Sequence, residues 1–210
     1  MGKKVLKIVG ILTLTAALLF TLCIGLGIYV ILGSDTKDTS DIGYYQVLSG
    51  ETEGSDMIPV LGTEFDMPCP FDLPRLSELE PCEDFRFNYT AIRHGIFQSH
   101  AYILIVTYNE ADYGQRKSEL ENEYVYLTDT FWGGGEAENH SPEFDLDGFG
   151  FQAVRKGEED RSDVKYMFFV GASDERQEIA YIYYHDQDLD YIDSSLDEFF
   201  KAETGWNKVV

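Results

Sequence analysis

Basic residues are scarce in this chain: 16 lysines and arginines stand against 38 aspartates and glutamates, for a formal charge of −22. Lys3, Lys4 and Lys7 are the only charged side chains before Asp35, so the part beyond them carries −25. A surface of that sign repels nucleic acid and anionic lipid headgroups and argues against both as partners. It attracts cations, basic proteins and cationic peptides, although solubility alone is a sufficient reason for such charge. Cysteine is nearly absent, at three residues. Neither Cys69 nor Cys82 has a nearby Cys or His, which argues against zinc. Motifs for catalysis are missing too. "GGGEAE" has no Gly-Lys-Ser/Thr ending for phosphate, and there is no Gly-x-Ser-x-Gly and no His-Glu-x-x-His. "SDTK" (34–37) matches Ser-x-x-Lys, but no Ser-Asp-Asn or Lys-Thr-Gly follows it. No internal repeat is present, and no motif calls for a cofactor.

Aromatic residues are abundant. With 14 Tyr, 14 Phe and 2 Trp, the chain is unlike disordered acidic sequences, which lack the rings to build a core. It also holds one long apolar run. The uncharged stretch 8–32 would make a helix of roughly 37 Å, longer than the roughly 30 Å hydrocarbon core of a bilayer. It is too long for the apolar part of a secretory signal, and Ile31-Leu32-Gly33 is a poor cleavage site. Lysines before it and acids after it predict a cytoplasmic N-terminus and an outer C-terminal part. Cys23 reads as a small apolar side chain of this helix, because "LFTLC" lacks the small residue that a lipoprotein signal needs. Gly25 and Gly27 would let a second helix approach closely.

Three segments follow from this: 1–34 as cytoplasmic tip and transmembrane helix, 35–56 as a flexible stalk rich in Gly, Ser, Thr and Asp, and 57–210 as a folded outer domain. Five of the six prolines lie between Pro59 and Pro81, which denies that stretch long helices and central strands. Cys69 and Cys82 bracket part of it, as a disulfide or as two free thiols. Next, "DFRFNYTAI" alternates as a half-buried strand, and "AYILIVTY" is apolar without a break, as a strand covered on both faces should be. Asn109 caps a helix with Asp112 at the capping-box position, and Tyr113, Lys117, Leu120 and Tyr124 share its stripe. "FGFQAVRK", "KYMFFVG" and "EIAYIYY" read as strands joined by acidic turns. Leu189, Ile192, Leu196, Phe199 and Phe200 form one face of a last helix, started by Asp190 and ended by Gly205. The expected fold is therefore α+β: a mainly antiparallel sheet of about five strands with two helices on one face, preceded by a transmembrane helix.

Candidate sites are few. "HDQDLDYIDSSLDE" sets Asp186, Asp188 and Asp190 at the spacing that opens a calcium loop. Tyr191 stands where glycine is needed, however, and Asp197 where a bidentate glutamate is needed, so no metal site is favoured. The long segment 129–150 holds Phe131, Trp132, His140, Asp145 and Asp147. It reads as a ligand-binding loop, with Trp132 able to stack on a sugar or grip a protein. The same two aromatics would equally pin the loop to the core, and Asp147-Gly148 is also a turn sequence. His94 and His100 would lie about 20 Å apart on a continuous strand, and could share a metal only if the chain folds back near Gly95. His185 beside Asp186 forms a base-and-acid pair of the kind that chance alone supplies in an acidic chain. The general plan of anchor plus outer α+β layout resembles small membrane-anchored extracytoplasmic proteins of unknown function from Gram-positive bacteria, and the resemblance implies no activity. The functional expectation is a membrane-tethered binding module for a protein, peptide or cell-envelope component. The alternatives are an anchored hydrolase using carboxylates, which leave no sequence signature, and an accessory subunit of a membrane complex.

Overall fold

Two runs of residues that are apolar at every position must lie where the sheet is covered on both sides. The computed structural model places them side by side. It describes residues 2–49, 57–59, 66–68, 73–94, 97–128, 131–132, 139–155, 166–186 and 194–210. The elements begin with α1 (Gly2–Leu32), β1 (Ser34–Thr39), α2 (Ile42–Leu48), β2 (Met57–Pro59), β3 (Asp66–Pro68), β4 (Asp84–His94), β5 (Phe97–Thr107) and α3 (Glu110–Glu123). They continue with β6 (Val125–Tyr126), β7 (Phe131–Trp132), β8 (Asn139–His140), β9 (Glu143–Leu146), β10 (Phe149–Arg155), β11 (Tyr166–Ser173), β12 (Glu178–Asp186) and α4 (Leu196–Glu203). Contacts divide the chain into two compact units: Met1–Asp35 with Arg93–Phe97, and Thr36–Ile92 with Gln98–Val210.

In the first unit α1 is helical over 31 residues. Between Thr13 and Ile28 its large apolar side chains are exposed, from 46% at Ile24 to 68% at Phe20. Among the described residues no helix is long and apolar enough to cross a membrane.

The second unit is built on an eight-stranded, mainly antiparallel sheet in the order β1-β4-β5-β12-β11-β10-β6, with β9 also pairing β10. The fold class is α+β, as expected, but the strands outnumber the five anticipated. The additional ones, β1, β6 and β9, are short edge pieces, which need only backbone partners and carry no long hydrophobic alternation. β5 and β12 meet antiparallel from Thr107↔Glu178 to Ser99↔Asp186. Alternation then sends their side chains to opposite faces. Tyr102, Leu104, Val106, Ile179, Tyr181 and Tyr183 join one core with Tyr113 and Leu120 of α3. Ala101, Ile103, Ile105, Ala180, Ile182 and Tyr184 join a second core with Leu196, Phe199, Phe200 and Trp206.

The two predicted helices therefore cover opposite faces of the sheet, not one. A sheet whose central strands are apolar on both sides requires this, since one layer would leave half of each strand in water. Local signals otherwise behave as read. Asn109 accepts the backbone N–H groups of Ala111 and Asp112, and Gly205 adopts the left-handed φ of 76° that ends α4. The start of α4 is a correction: it begins at Leu196 after Ser195, not at Asp190.

The stalk is corrected as well. Residues 34–39 are an edge strand and 42–48 a helix whose Tyr45 and Leu48 are buried in the α3-side core. Tyr45 stacks edge-on with Phe87 and donates its hydroxyl to the Pro74 carbonyl. A polar edge strand has a stalk's composition, which is why 35–48 read as part of a stalk; 50–56 lie outside the described residues. Leu48→Ala should thus destabilise the full chain in detergent by about 2–5 kcal/mol in chemical denaturation, as for a core leucine. A change below about 0.5 kcal/mol, typical of a surface position, would return this segment to a stalk.

Candidate binding groove

Helix α3 is held to the sheet by Tyr113 and Leu120, both buried. Beyond it the sheet surface of β10 and β11 carries small or slim residues on the same face: Gly150, Gln152, Val170 and Ala172. The result is an open groove of about 420 Å³, with these residues as its floor and Lys117, Leu120, Glu121 and Tyr126 as its walls. The groove is open because Gly150 and Ala172 contribute almost no side chain to the space beside the helix.

Its polar groups are held in definite states. Lys117 reaches Asp174 at 2.6 Å, and the Tyr113 hydroxyl donates to the same carboxylate at 2.6 Å. The lysine first, and then the phenol, hold the Asp174 carboxyl below its ordinary range, so it is an anion that fixes Lys117 against the wall. Burial, followed by the nearby Glu121 and Glu123, pushes the Tyr126 phenol up, so it remains a neutral donor at physiological pH. Gln152 donates from Nε2 to the Leu127 carbonyl at 3.1 Å, which orients its amide. The groove thus offers an apolar floor, one aromatic ring, one oriented amide and the exposed carboxylate of Glu121.

Of the residues expected to bind a ligand, Asp145 borders this groove. It pairs with Gly150 across the β9–β10 ladder, and its Oδ1 lies 3.7 Å from where a Cβ on Gly150 would stand. A second carboxylate therefore borders the floor. Asp147 does something else. Asp147 and Gly148, with φ of 47° and 83°, form the two-residue turn between β9 and β10. The Asp147 carboxylate takes Lys201 at 2.8 Å on Oδ1 and the Trp206 indole N–H at 2.7 Å on Oδ2. These contacts, led by the hydrogen bond to Lys201, hold its pKa down. It clamps the turn to the C-terminal segment. Phe131 and His140 face one another in the small β7–β8 ladder; their side chains, and that of Trp132, lie outside the described residues.

Asp186 ends β12 and receives the Tyr184 hydroxyl at 3.2 Å, while Asp188 and Asp190 lie outside the described residues. Among the described residues no group of three or more metal-ligating side chains comes together. Cys82 is a free thiol, partly buried, and its expected partner Cys69 lies outside the described residues.

One histidine pair is formed by strand register and is invisible in the sequence. His100 stands directly across from His185, with ring centroids 5.8 Å apart, and Tyr89 Oη lies 2.9 Å from His100 Nδ1. The sequence reading weighed His185 with its neighbour Asp186 and His100 with His94, whereas the contact joins His100 to His185 across strands. His100 is 3% exposed, and burial, followed by His185, pushes its pKa down to about 3.

Because the unfolded value is near 6.5, the unfolded state takes up the proton first. The neutral ring's contribution is complete above about pH 6.5 and is lost as pH falls from there towards 3. Between pH 6.5 and 4, unfolding stability should fall by up to about 1.4 kcal/mol per unit from this group. His100→Phe should remove that component of the slope, whatever its effect on absolute stability. An unchanged slope would show that His100 is not held neutral. No family model, curated protein or solved structure matches the chain, so its function is read from this geometry.

Proposed function

We propose that the protein is a membrane-tethered binding module, with α1 as its anchor, its N-terminus in the cytoplasm and its acidic domain outside the cell. The observation that carries this reading is α1 itself. It is a 31-residue helix whose described apolar side chains are exposed, and water does not tolerate a continuous apolar surface of that extent. Three lysines at its start and acids after its end favour the stated orientation.

The ligand is a basic peptide segment of another protein, seated in the groove beside α3. Glu121 and Asp145 border an apolar floor, an arrangement suited to a lysine or arginine whose stem lies on Leu120 and Val170 and whose head meets carboxylate. The −25 of the outer part adds long-range attraction for such a partner.

One experiment tests both halves. A fluorescent peptide of alternating lysine and valine is added to intact cells that carry the full chain. It should bind from outside, and Ala172→Trp, which fills the groove, should weaken binding about tenfold or more, equivalent to about 1.4 kcal/mol. Glu121→Lys should act in the same direction, while Glu198→Lys on α4 should change binding only slightly. Binding seen only after permeabilisation would reverse the orientation. Binding indifferent to Ala172→Trp and Glu121→Lys would remove the groove from the account.

A further inference from the structure

A lysine on the wall of the groove is a rival to any cation that the groove would take, and Lys117 stands there. On α3 it comes four residues before Glu121. Side chains at that spacing are neighbours on one helix face, with Cβ atoms roughly 5–6 Å apart. A lysine left to itself would therefore meet Glu121. Lys117 is drawn elsewhere. Its ammonium group lies 2.6 Å from Oδ1 of Asp174, in the turn between β11 and β12, and Glu121 makes no ion pair among the described residues.

The arrangement is fixed from the core. The same Asp174 oxygen accepts the Tyr113 hydroxyl at 2.6 Å, and Tyr113, one turn before Lys117 on α3, is buried. A buried ring thus determines where the carboxylate stands. The Lys117 ammonium group also lies 5.8 Å from the centre of that ring, within the range of cation–π attraction. Carboxylate and ring together draw Lys117 towards the N-terminal end of α3. Glu121 lies one turn the other way.

We infer that Asp174 sets the affinity of the groove for cationic ligands by withholding Lys117 from Glu121. The inference rests on the reading of the groove as the binding site. Asp174 is a positioning residue and meets no ligand itself. Once its charge is removed, Lys117 turns to Glu121, covers the carboxylate and repels an incoming lysine or arginine. An exposed ion pair at this spacing is weak and alone would lower affinity only about twofold. Repulsion between two cations roughly 6 Å apart at a wet surface raises the expected loss to about fivefold.

Asp174→Asn isolates this role, because the amide oxygen still accepts the Tyr113 hydroxyl while the charge that holds Lys117 is gone. Binding of the fluorescent lysine–valine peptide is followed by anisotropy on the purified full chain in a neutral detergent. Asp174→Asn should weaken binding about fivefold, and adding Lys117→Gln should restore it to within about twofold of the unaltered chain. Asp174→Asn with Lys208→Gln has the same net charge as that double variant, but Lys208 pairs with Asp38. This control should bind as weakly as Asp174→Asn alone. Recovery with Lys208→Gln would trace the effect to net charge and overturn the inference. Failure of Lys117→Gln to restore binding would overturn it too, since Lys117 would then play no part. Ala172→Trp and Glu121→Lys in the same assay separate this inference from the reading beneath it. If they weaken binding and Asp174→Asn does not, the groove stands and the role of Asp174 falls. If neither they nor Asp174→Asn has an effect, both fall.

Discussion

The pairing of β5 with β12 is the constraint on which the domain depends. From 101 to 106 and from 179 to 184 every side chain is buried, at 3% exposure or less. Burying a large apolar side chain is worth about 1.5–3 kcal/mol, so neither face of this pair is stable in water. The strands therefore need two covers. Helix α3, with α2, supplies one, and α4 with the C-terminal turn supplies the other. The aromatic residues make both covers dense: Phe144, Phe151, Phe169 and Phe200 form a chain of ring contacts at 5.1–5.5 Å on one side, and Tyr102 meets Tyr89 and Tyr183 on the other.

The scarcity of bases shapes the rest. Several of those present are engaged at structural joints. Arg86 and Arg176 share the buried Glu178, and Arg116 meets Glu123 at 2.8 Å beneath α3 while donating to the Tyr181 hydroxyl. Lys117 is held by Asp174, Lys201 by Asp147 and Lys208 by Asp38. With these cations engaged by carboxylates, the acids at the groove, Glu121 and Asp145, face outward within a strongly negative field. The same distribution that staples the fold leaves the surface suited to a cationic ligand.

Much of the fold was legible in sequence because its signals are local. The unbroken apolar runs identify the central strands, Asn109 and Asp112 identify the start of α3, and Asp147-Gly148 identifies a hairpin turn. What was illegible depends on neighbours distant in sequence. The apolar stripe of α4 reveals that it packs, not against which face of the sheet. "SDTKDT" has the composition of a linker and becomes a strand only because β4 offers it backbone partners. Ser195 replaced Asp190 as the helix start in a run where several polar residues could have served. The groove arises from what Gly150 and Ala172 lack, and small residues announce nothing until the register of β10 with β11 brings them together. The His100–His185 contact is likewise a product of register.

Native-state hydrogen exchange tests the central claim most directly. If the β5–β12 pair with its two covers is the unit on which the domain depends, amides of 101–106 and 179–184 should exchange only through global unfolding, with the denaturant dependence of the whole domain. The edge pieces β6 and β9 should open earlier. Exchange of the central amides as fast as that of 143–146, or at two different rates for the two strands, would contradict the account.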